Sequence, residues 1–463
     1  MFKKEKFLGE KACVLGLGKS GRAVARLLAG QGFDVLISEE TPMQKKNFSF
    51  PACVTVQTGG HSNEIFDCGF WIKSPGIFPN HPALVEARRR KIPVFSELEV
   101  ALSFMPKGVR VFAVTGTNGK TTTTALLGEI LRESSLRENK GRRVFVCGNI
   151  GNPVSLCAQQ ARPGDDLVIE VSSYQLEDST YFRPQYACIL NVTPDHLDHH
   201  GGMRGYIKAK GKIMKNQRET DVLVVNGGDT VCAEVVEKAK GPVLAFSTHP
   251  KHLLKTDVFF DGDELIFSAG HQIRPPLLKG IHNVENAMAA ALMALAAGVS
   301  PSVIQTVFEK FEAMEHRIEQ FAYHHGVIYV NDSKATNLDS TITALKSFDK
   351  NNSIWLILGG RDKGASYEVL IPYIKEYCKK VLAIGESMDK IERELNGYPV
   401  IRCGTLSSAV ETAMKGAVKG DTVLLSPACA SFDQFKDYEE RGRVFKRLVN
   451  AHVFKARTDR KQK

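Results

Sequence analysis

The stretch from Val111 to Thr124, VFAVTGTNGKTTTT, constrains this chain more than any other. Val111 to Val114 is an apolar run of the kind that fills a buried strand. Gly116, Gly119, Lys120 and Thr121 follow at once, and Thr122 to Glu133 is compatible with a helix. Strand, glycine turn and helix together make a phosphate cradle. Glycines let backbone N–H groups turn inward, the helix N-terminus adds positive potential, the lysine reaches the β/γ-phosphates and the threonine hydroxyl can ligate Mg2+. The strict spacing would place a glycine at position 114, where this chain has valine. The alternative is an ordinary tight turn with a surface lysine, which leaves the order of strand, glycines, Lys and Thr to coincidence.

A chain of 463 residues has room for about three domains, each with its own core. No run of eighteen apolar residues occurs; the nearest, Asn286 to Val299, is short and Ala-rich and reads as a packed core helix. The N-terminal segment carries positive charge but no continuous apolar stretch, so a cytoplasmic location without membrane insertion is expected. The ten cysteines are scattered without zinc spacing, and Cys13 and Cys188 lie in apolar runs as small buried hydrophobes. The net charge of +10 is dispersed, and no nucleic-acid-binding signature accompanies it. A phosphate-rich substrate suits such a surface. The basic tail, Lys455 to Lys463, reads as a solvated, frayed end.

Three α/β blocks follow from the alternation of strand-like and helix-like segments. The first, residues 1–108, opens with the apolar run Ala12 to Leu17, the turn Gly16-Leu-Gly18-Lys-Ser-Gly21, a helical pattern from Arg22 to Gln31, and a strand from Phe33 to Ile37 ending at Glu39 and Glu40. By spacing this is a dinucleotide fingerprint, although the same geometry holds any diphosphate at a helix N-terminus. Ser74-Pro-Gly76 follows the strand Phe70 to Lys73. The second block, 109–314, carries the phosphate loop and strand-like runs at Arg143 to Cys147, Asp166 to Val171, Ala187 to Val192 and Asp221 to Val225, which imply a mostly parallel sheet. Residues 243–275 alternate like short antiparallel strands. The third block, 315–463, has strand candidates at Gly326 to Val330, Ser353 to Leu358, Lys380 to Ile384 and Thr422 to Leu425.

Several polar groups follow these strands. Glu170 ends DLVIEV, and a carboxylate there is a usual second site for Mg2+ beside a phosphate loop. His196 and Asp198 follow the run Ala187 to Leu190 and are candidates for a second metal or its surroundings. Lysines 208, 210, 212 and 215 crowd a helix-like stretch that composition alone would make a solvated basic face. His282-Asn283-Val-Glu-Asn286 looks like a helix start. Arg317 and Asn331-Asp332-Ser-Lys334-Ala-Thr336-Asn337 lie at a sheet edge, where cations can stabilise a transferring phosphoryl group. Ser431 is a candidate helix N-cap.

The string Thr115 to Thr122, TGTNGKTT, resembles the nucleotide loop of the Mur ligases and the related folylpolyglutamate synthetases, which use ATP to join a carboxylate to an amine through an acyl phosphate. GLGKSG at 16–21, NDSKATN at 331–337, GGRDKG at 359–364 and LSPACASFDQF at 425–435 extend the resemblance over nearly the whole chain and bring it nearest to the D-glutamate-adding members. The resemblance implies three α/β domains: an N-terminal Rossmann-like domain that binds UDP, a central P-loop-type ATPase with a mostly parallel sheet, and a C-terminal Rossmann-like domain for the amino acid. It implies ATP contacts at Gly116, Thr117, Asn118, Gly119, Lys120, Thr121, Thr122, Asn283, Asn286, Arg317 and Asp332. Thr121, Glu170, His196 and Lys210 would hold Mg2+ at two sites, with Lys210, in its Tyr206-x-x-Ala209-Lys210 setting, carbamylated. Lys120, Glu170, His196 and Lys210 would be the catalytic set. The substrate UDP-MurNAc-L-Ala would meet Leu17, Lys19, Ser20, Glu39, Ser74, Gly76 and Asn149. D-glutamate would meet Lys334, Thr336, Lys363, Ser431, Phe432 and Tyr438, the last two where relatives often have Leu and Phe. A monomer is expected.

Three rivals stay open on sequence. Another Mur ligase could take a different amino acid. An NAD-dependent oxidoreductase would explain Gly16 to Gly21 but not Lys120 or Glu170. A nucleotide switch would bind ATP without ligation.

Overall fold

A computed structural model describes residues 4–43, 49–139, 141–248, 253–278, 280–312, 315–362 and 364–461. The chain forms two compact units, 1–276 with 284–311, and 277–283 with 312–463.

The first unit holds two sheets. The smaller contains β1 (Ala12–Leu15), β2 (Val35–Glu39), β3 (Val54–Thr58), β4 (Phe70–Lys73) and β5 (Val94–Ser96), all parallel in the order β3-β2-β1-β4-β5. Its central strands are completely buried, and helix Lys19–Gly30 covers it with Val24, Ala25 and Leu28. The strand order reverses between β1 and β4, the place where open parallel sheets take ligands.

The larger sheet contains β6 (Arg110–Thr115), β7 (Val144–Gly148), β8 (Asp166–Glu170), β9 (Tyr186–Ile189), β10 (Val222–Asn226), β11 (Val243–Ser247), β12 (Val258–Phe260), β13 (Leu265–Phe267) and β14 (Gln272–Ile273), in the order β14-β13-β12-β11-β10-β9-β6-β8-β7. The expected antiparallel character of 243–275 holds only for β12-β13-β14; β11 runs parallel to both β10 and β12. Both sheet faces are apolar. One packs on helix Lys120–Arg137 and the Ala-rich segment of helix Ile281–Ala296, where 286–294 are buried as expected. The two sheets are joined by carboxylates. Glu97, buried, accepts from the Ser155 amide and hydroxyl, both at 2.6 Å, and Glu99 accepts from the amides of Thr180 and Tyr181. Burial raises both carboxyl pKa values.

The second unit holds β15 (Glu319–His324), β16 (Val327–Asn331), β17 (Ile354–Gly359), β18 (Cys378–Ile384), β19 (Val400–Gly404) and β20 (Thr422–Leu425), ordered β15-β16-β20-β17-β18-β19. All are parallel except β15, which forms a hairpin with β16. The last helix runs Tyr438–Lys461, so residues 455–461 of the basic tail continue a helix where a frayed end was expected, and 462–463 lie outside the described residues. No helix among the described residues is long and apolar enough to cross a membrane.

Leu356 is fully buried in β17, between the pairs to β18 and β20. Leu356→Ala leaves a cavity there and is expected to cost about 2–5 kcal/mol, read from the shift of the urea midpoint. A loss below about 1 kcal/mol would contradict that packing.

Candidate active site

The glycine loop lies between β6 and helix Lys120–Arg137, and the sheet order places it beside two other strand ends. β6 pairs with β8, which ends at Glu170, and with β9, which leads to Asn191 and His196. Gly119 has φ +83°, and a Cβ there would overlap Asn286 Oδ1, so the glycine lets the loop touch that side chain. Asn191 clamps the loop. Its Oδ1 accepts from Asn118 N at 2.8 Å, and its backbone carbonyl accepts from Thr117 N. The Thr117 hydroxyl donates to Thr193 O and lies 3.1 Å from Tyr206 OH. Lys120 folds over its own turn and donates to Gly116 O (2.8 Å) and Thr117 O (2.6 Å). Thr122 is buried in the first turn of the helix.

Two buried oxygens around this loop, Thr121 Oγ1 and Glu170 Oε2, have no hydrogen-bond partner among the described residues. An unsatisfied buried oxygen is costly, and two oxygens beside a phosphate cradle are the donors that Mg2+ prefers. Glu170 Oε1 accepts from Asn149 Nδ2 at 2.8 Å, which leaves Oε2 as the open atom. The residues present therefore fit the cation. His196 is the N-cap of the short helix Leu197–His200 and lies in the left-handed region, φ 53°, with its Nδ1 2.8 Å from Tyr174 OH. A non-glycine residue held there is uncommon and marks a constrained position. Lys210 is buried, with Nζ donating to Gly116 O at 2.7 Å and lying 4.6 Å from the Tyr206 ring centre. Burial, and then the charge of Lys120, pushes its pKa well below the ordinary lysine value.

In the smaller sheet, the Gly16–Gly18 and Ser74–Gly76 turns sit at neighbouring ends of β1 and β4. A Cβ on Gly16 would reach Ser74 Cβ at 2.9 Å, so glycine allows the two turns to touch. Glu39 takes the amides of Leu17 (2.8 Å) and Thr41 (2.9 Å) with its two oxygens, which gives it a part in shaping the turn. Leu17 is buried, and Lys19 and Gly76 are exposed, with Ser20 and Ser74 between those extremes.

In the second unit, β16, β20 and β17 are adjacent, so the turns after them share one edge. Ser426 Oγ donates to Asp332 Oδ2 at 2.8 Å. Burial pushes the Asp332 carboxyl up to about 7, with Arg317 among the charges opposing it. Burial and Arg317 bring His282 down to about 4. Lys334 donates to Tyr438 OH at 2.7 Å and lies 4.1 Å from its ring centre. Thr336 is half-buried, Ser431 buried and Phe432 exposed. Asn283 precedes Val284 in helix Ile281–Ala296. Lys363 lies outside the described residues. Ser431 caps no helix: the next one starts at Tyr438, and Asp437 accepts from Glu440 N.

Sequence reading missed three residues. Asn191 clamps the loop, Tyr174 reaches His196, and Arg441, buried, donates to Ser333 Oγ, Ser333 O and Cys429 O. Arg441 thereby ties the Asp332–Lys334 turn to the Cys429–Ser431 turn. Its place three residues into a polar helix gave no signal of this.

Three family models match the chain: the MurD N-terminal domain over residues 11–82, the Mur ligase middle domain over 114–294, and the Mur ligase glutamate ligase domain over 316–429. The UDP-N-acetylmuramoylalanine--D-glutamate ligase of Elusimicrobium minutum is 53% identical over 97% of this chain and 100% of its own length. That of Koribacter versatilis is 45% identical over 95% and 97%. In fold, the chain is similar to UDP-N-acetylmuramate-alanine ligase MurC of Thermotoga maritima (TM-score 0.60, 20% identity, 96% of this chain and 100% of that one). It is similar also to MurF of Acinetobacter baumannii (TM-score 0.60, 19% identity, 95% and 90%).

Asp332 supplies a test of the edge described above. Its carboxyl lies near 7 when folded, above the ordinary value of about 3.9. The folded chain therefore holds this proton more tightly. The stability it contributes is full below about pH 4 and is lost as pH rises through about 7. Asp332→Asn removes that slope, so its urea midpoint relative to the parent is expected to be higher at pH 8 than at pH 5. Equal differences at both pH values would contradict the buried carboxyl.

Proposed function

The chain belongs to the Mur ligase family and joins D-glutamate to UDP-N-acetylmuramoylalanine with ATP in peptidoglycan synthesis, and we propose that it does so through an acyl phosphate formed over the loop around Lys120. The observation that carries this reading is the pair of buried oxygens without a partner among the described residues, Thr121 Oγ1 and Glu170 Oε2, around the loop whose Gly116 carbonyl accepts from buried Lys210.

Lys120 releases the two loop carbonyls and binds the β/γ-phosphates. Gly116 to Thr122 cradle the phosphates, and Asn283, Asn286, Arg317 and Asp332 bind the rest of ATP. Thr121, Glu170, His196 and carbamylated Lys210 would hold Mg2+ at two sites, where it offsets the charge of carboxylate and phosphate oxygens that would otherwise repel. A neutral Lys210 amine attacks CO2; the C–N bond forms, one proton leaves, and an anionic carbamate results. Burial favours the neutral amine that this requires.

Leu17, Lys19, Ser20, Glu39, Ser74, Gly76 and Asn149 bind UDP-MurNAc-L-Ala. The switch point between β1 and β4 and the touching turns support this. Its carboxylate oxygen attacks the γ-phosphorus, and ADP leaves. Lys334, Thr336, Lys363, Ser431, Phe432 and Tyr438 hold D-glutamate; cationic lysines suit its two carboxylates. The amine then attacks the acyl carbon, the C–N bond forms, the C–O bond to phosphate breaks and the amine gives up a proton. The domain limits 1–108, 109–314 and 315–463, a monomeric state and a cytoplasmic site of action belong to the same proposal.

The test is phosphate release from Mg-ATP with UDP-MurNAc-L-Ala carrying an 18O-labelled carboxylate, adding D-Glu, L-Glu, L-Lys or meso-diaminopimelate singly. Release that requires D-Glu, with one labelled oxygen in the phosphate, is expected. Unlabelled phosphate would overturn the acyl phosphate, and release with another amino acid would overturn the third-domain assignments.

A further inference from the structure

We propose that Tyr174 is a positioning residue for His196: its hydroxyl accepts from Nδ1–H and so turns Nε2 toward the cation. The inference rests on the reading of His196 as a cation ligand. The hydroxyl lies 2.8 Å from Nδ1, and the rings pack at 4.8 Å. An imidazole that binds metal through one nitrogen usually donates its other N–H to a fixed acceptor, which sets both tautomer and orientation. His196 is the N-cap of its short helix: its amide donates to Asp195 Oδ1 and its carbonyl accepts from His200 N, which fix the backbone, while the ring has Tyr174 OH at Nδ1 and Asp195 Oδ2 3.5 Å from Nε2.

Tyr174 is itself held firmly. It belongs to the helix Ser173–Glu177, fixed by a capping box between Ser172 and Gln175. That helix begins three residues after Glu170, so one strand-to-helix turn supplies both the carboxylate and the hydroxyl that aims the imidazole. The His199 ring meets Tyr174 edge-on at 4.2 Å, and the His200 ring stacks on it at 5.5 Å. Glu177 in turn anchors both histidines: its Oε2 lies 2.9 Å from His199 Nε2 and its Oε1 3.3 Å from His200 Nδ1. His200 Nε2 lies 3.0 Å from Ser173 Oγ. Burial works to raise the Glu177 carboxyl, but its bonds to His200 and His199 and the charge of Lys73 bring it down to about 2. Lys73 also pairs with Asp178 at 2.8 Å. The chain of contacts thus runs from the residue before Ser74 to His196, and Tyr174 is its last member.

The experiment compares Mn2+ binding, by electron paramagnetic resonance with ADP and bicarbonate present, in the parent, Tyr174→Phe and His196→Ala. Phenylalanine keeps the ring contacts and removes only the hydroxyl. Both variants are expected to bind Mn2+ about tenfold or more weakly. Tyr174→Phe should keep the parent Tm and recover most of kcat at saturating Mg2+, with the loss confined to the Mg2+ requirement. Parent-like Mn2+ binding in Tyr174→Phe, with weakened binding in His196→Ala, would overturn the role of Tyr174 alone. Parent-like binding in His196→Ala would overturn the cation-ligand reading and this inference with it. If Tyr174→Phe does not fold, 15N-histidine NMR of the parent with Mg2+ and ADP decides: a proton on His196 Nδ1 is expected, and a proton on Nε2 overturns the proposal.

Discussion

The Lys210 amine sits buried and donates to the Gly116 carbonyl of the glycine loop, and the proposed chemistry depends on that contact. A charged ammonium there would lose its hydration and face Lys120 as well. Taking an unpaired charge out of water costs several kcal/mol, and a protein relieves it by neutralising the group. The neutral amine is the form that accepts CO2. Under the carbamylation proposed above, a site that would otherwise repel a divalent cation would acquire an anionic ligand. The unpartnered oxygens of Thr121 and Glu170 have the same logic, since each is costly alone and useful around a cation.

Parallel sheets turn distant motifs into neighbours. The strand before the glycine loop, the strand before Glu170 and the strand before Asn191 are adjacent in the larger sheet. Three sequence segments therefore meet at one carboxyl edge. The third sheet repeats the device with β16, β20 and β17, and Arg441 then ties two of the resulting turns together. In the smallest sheet the device operates at the reversal between β1 and β4.

The strand, glycine turn and helix around Lys120 were legible because each leaves a local mark: an apolar run, glycines at required backbone angles, and a helix pattern. The α/β class and the mostly parallel central sheet were legible for the same reason. β3 and β5 escaped notice. VTVQT is only half-buried, and Val94–Ser96 is three residues long, so neither makes an apolar run. β11 reads as an alternating strand, yet pairing direction is set by the chain on either side of it. Asn191, Tyr174 and Arg441 act through partners far away in sequence, and nothing local announces them. Ser431 looked like a cap because of its residue type, whereas Asp437 lies where the helix begins. Much of what placed substrates on named residues came from family resemblance, because a turn at a sheet edge does not state which ligand it holds.

The proposed ligase chemistry turns on the chemical state of Lys210. The most direct test is 13C NMR of the parent protein equilibrated with 13C-bicarbonate and Mg2+, beside Lys210→Arg. A carbamate carbon present in the parent, lost from the variant together with ligase activity, is the expected result. A fully active parent enzyme with no carbamate carbon would contradict a carbamylated Lys210.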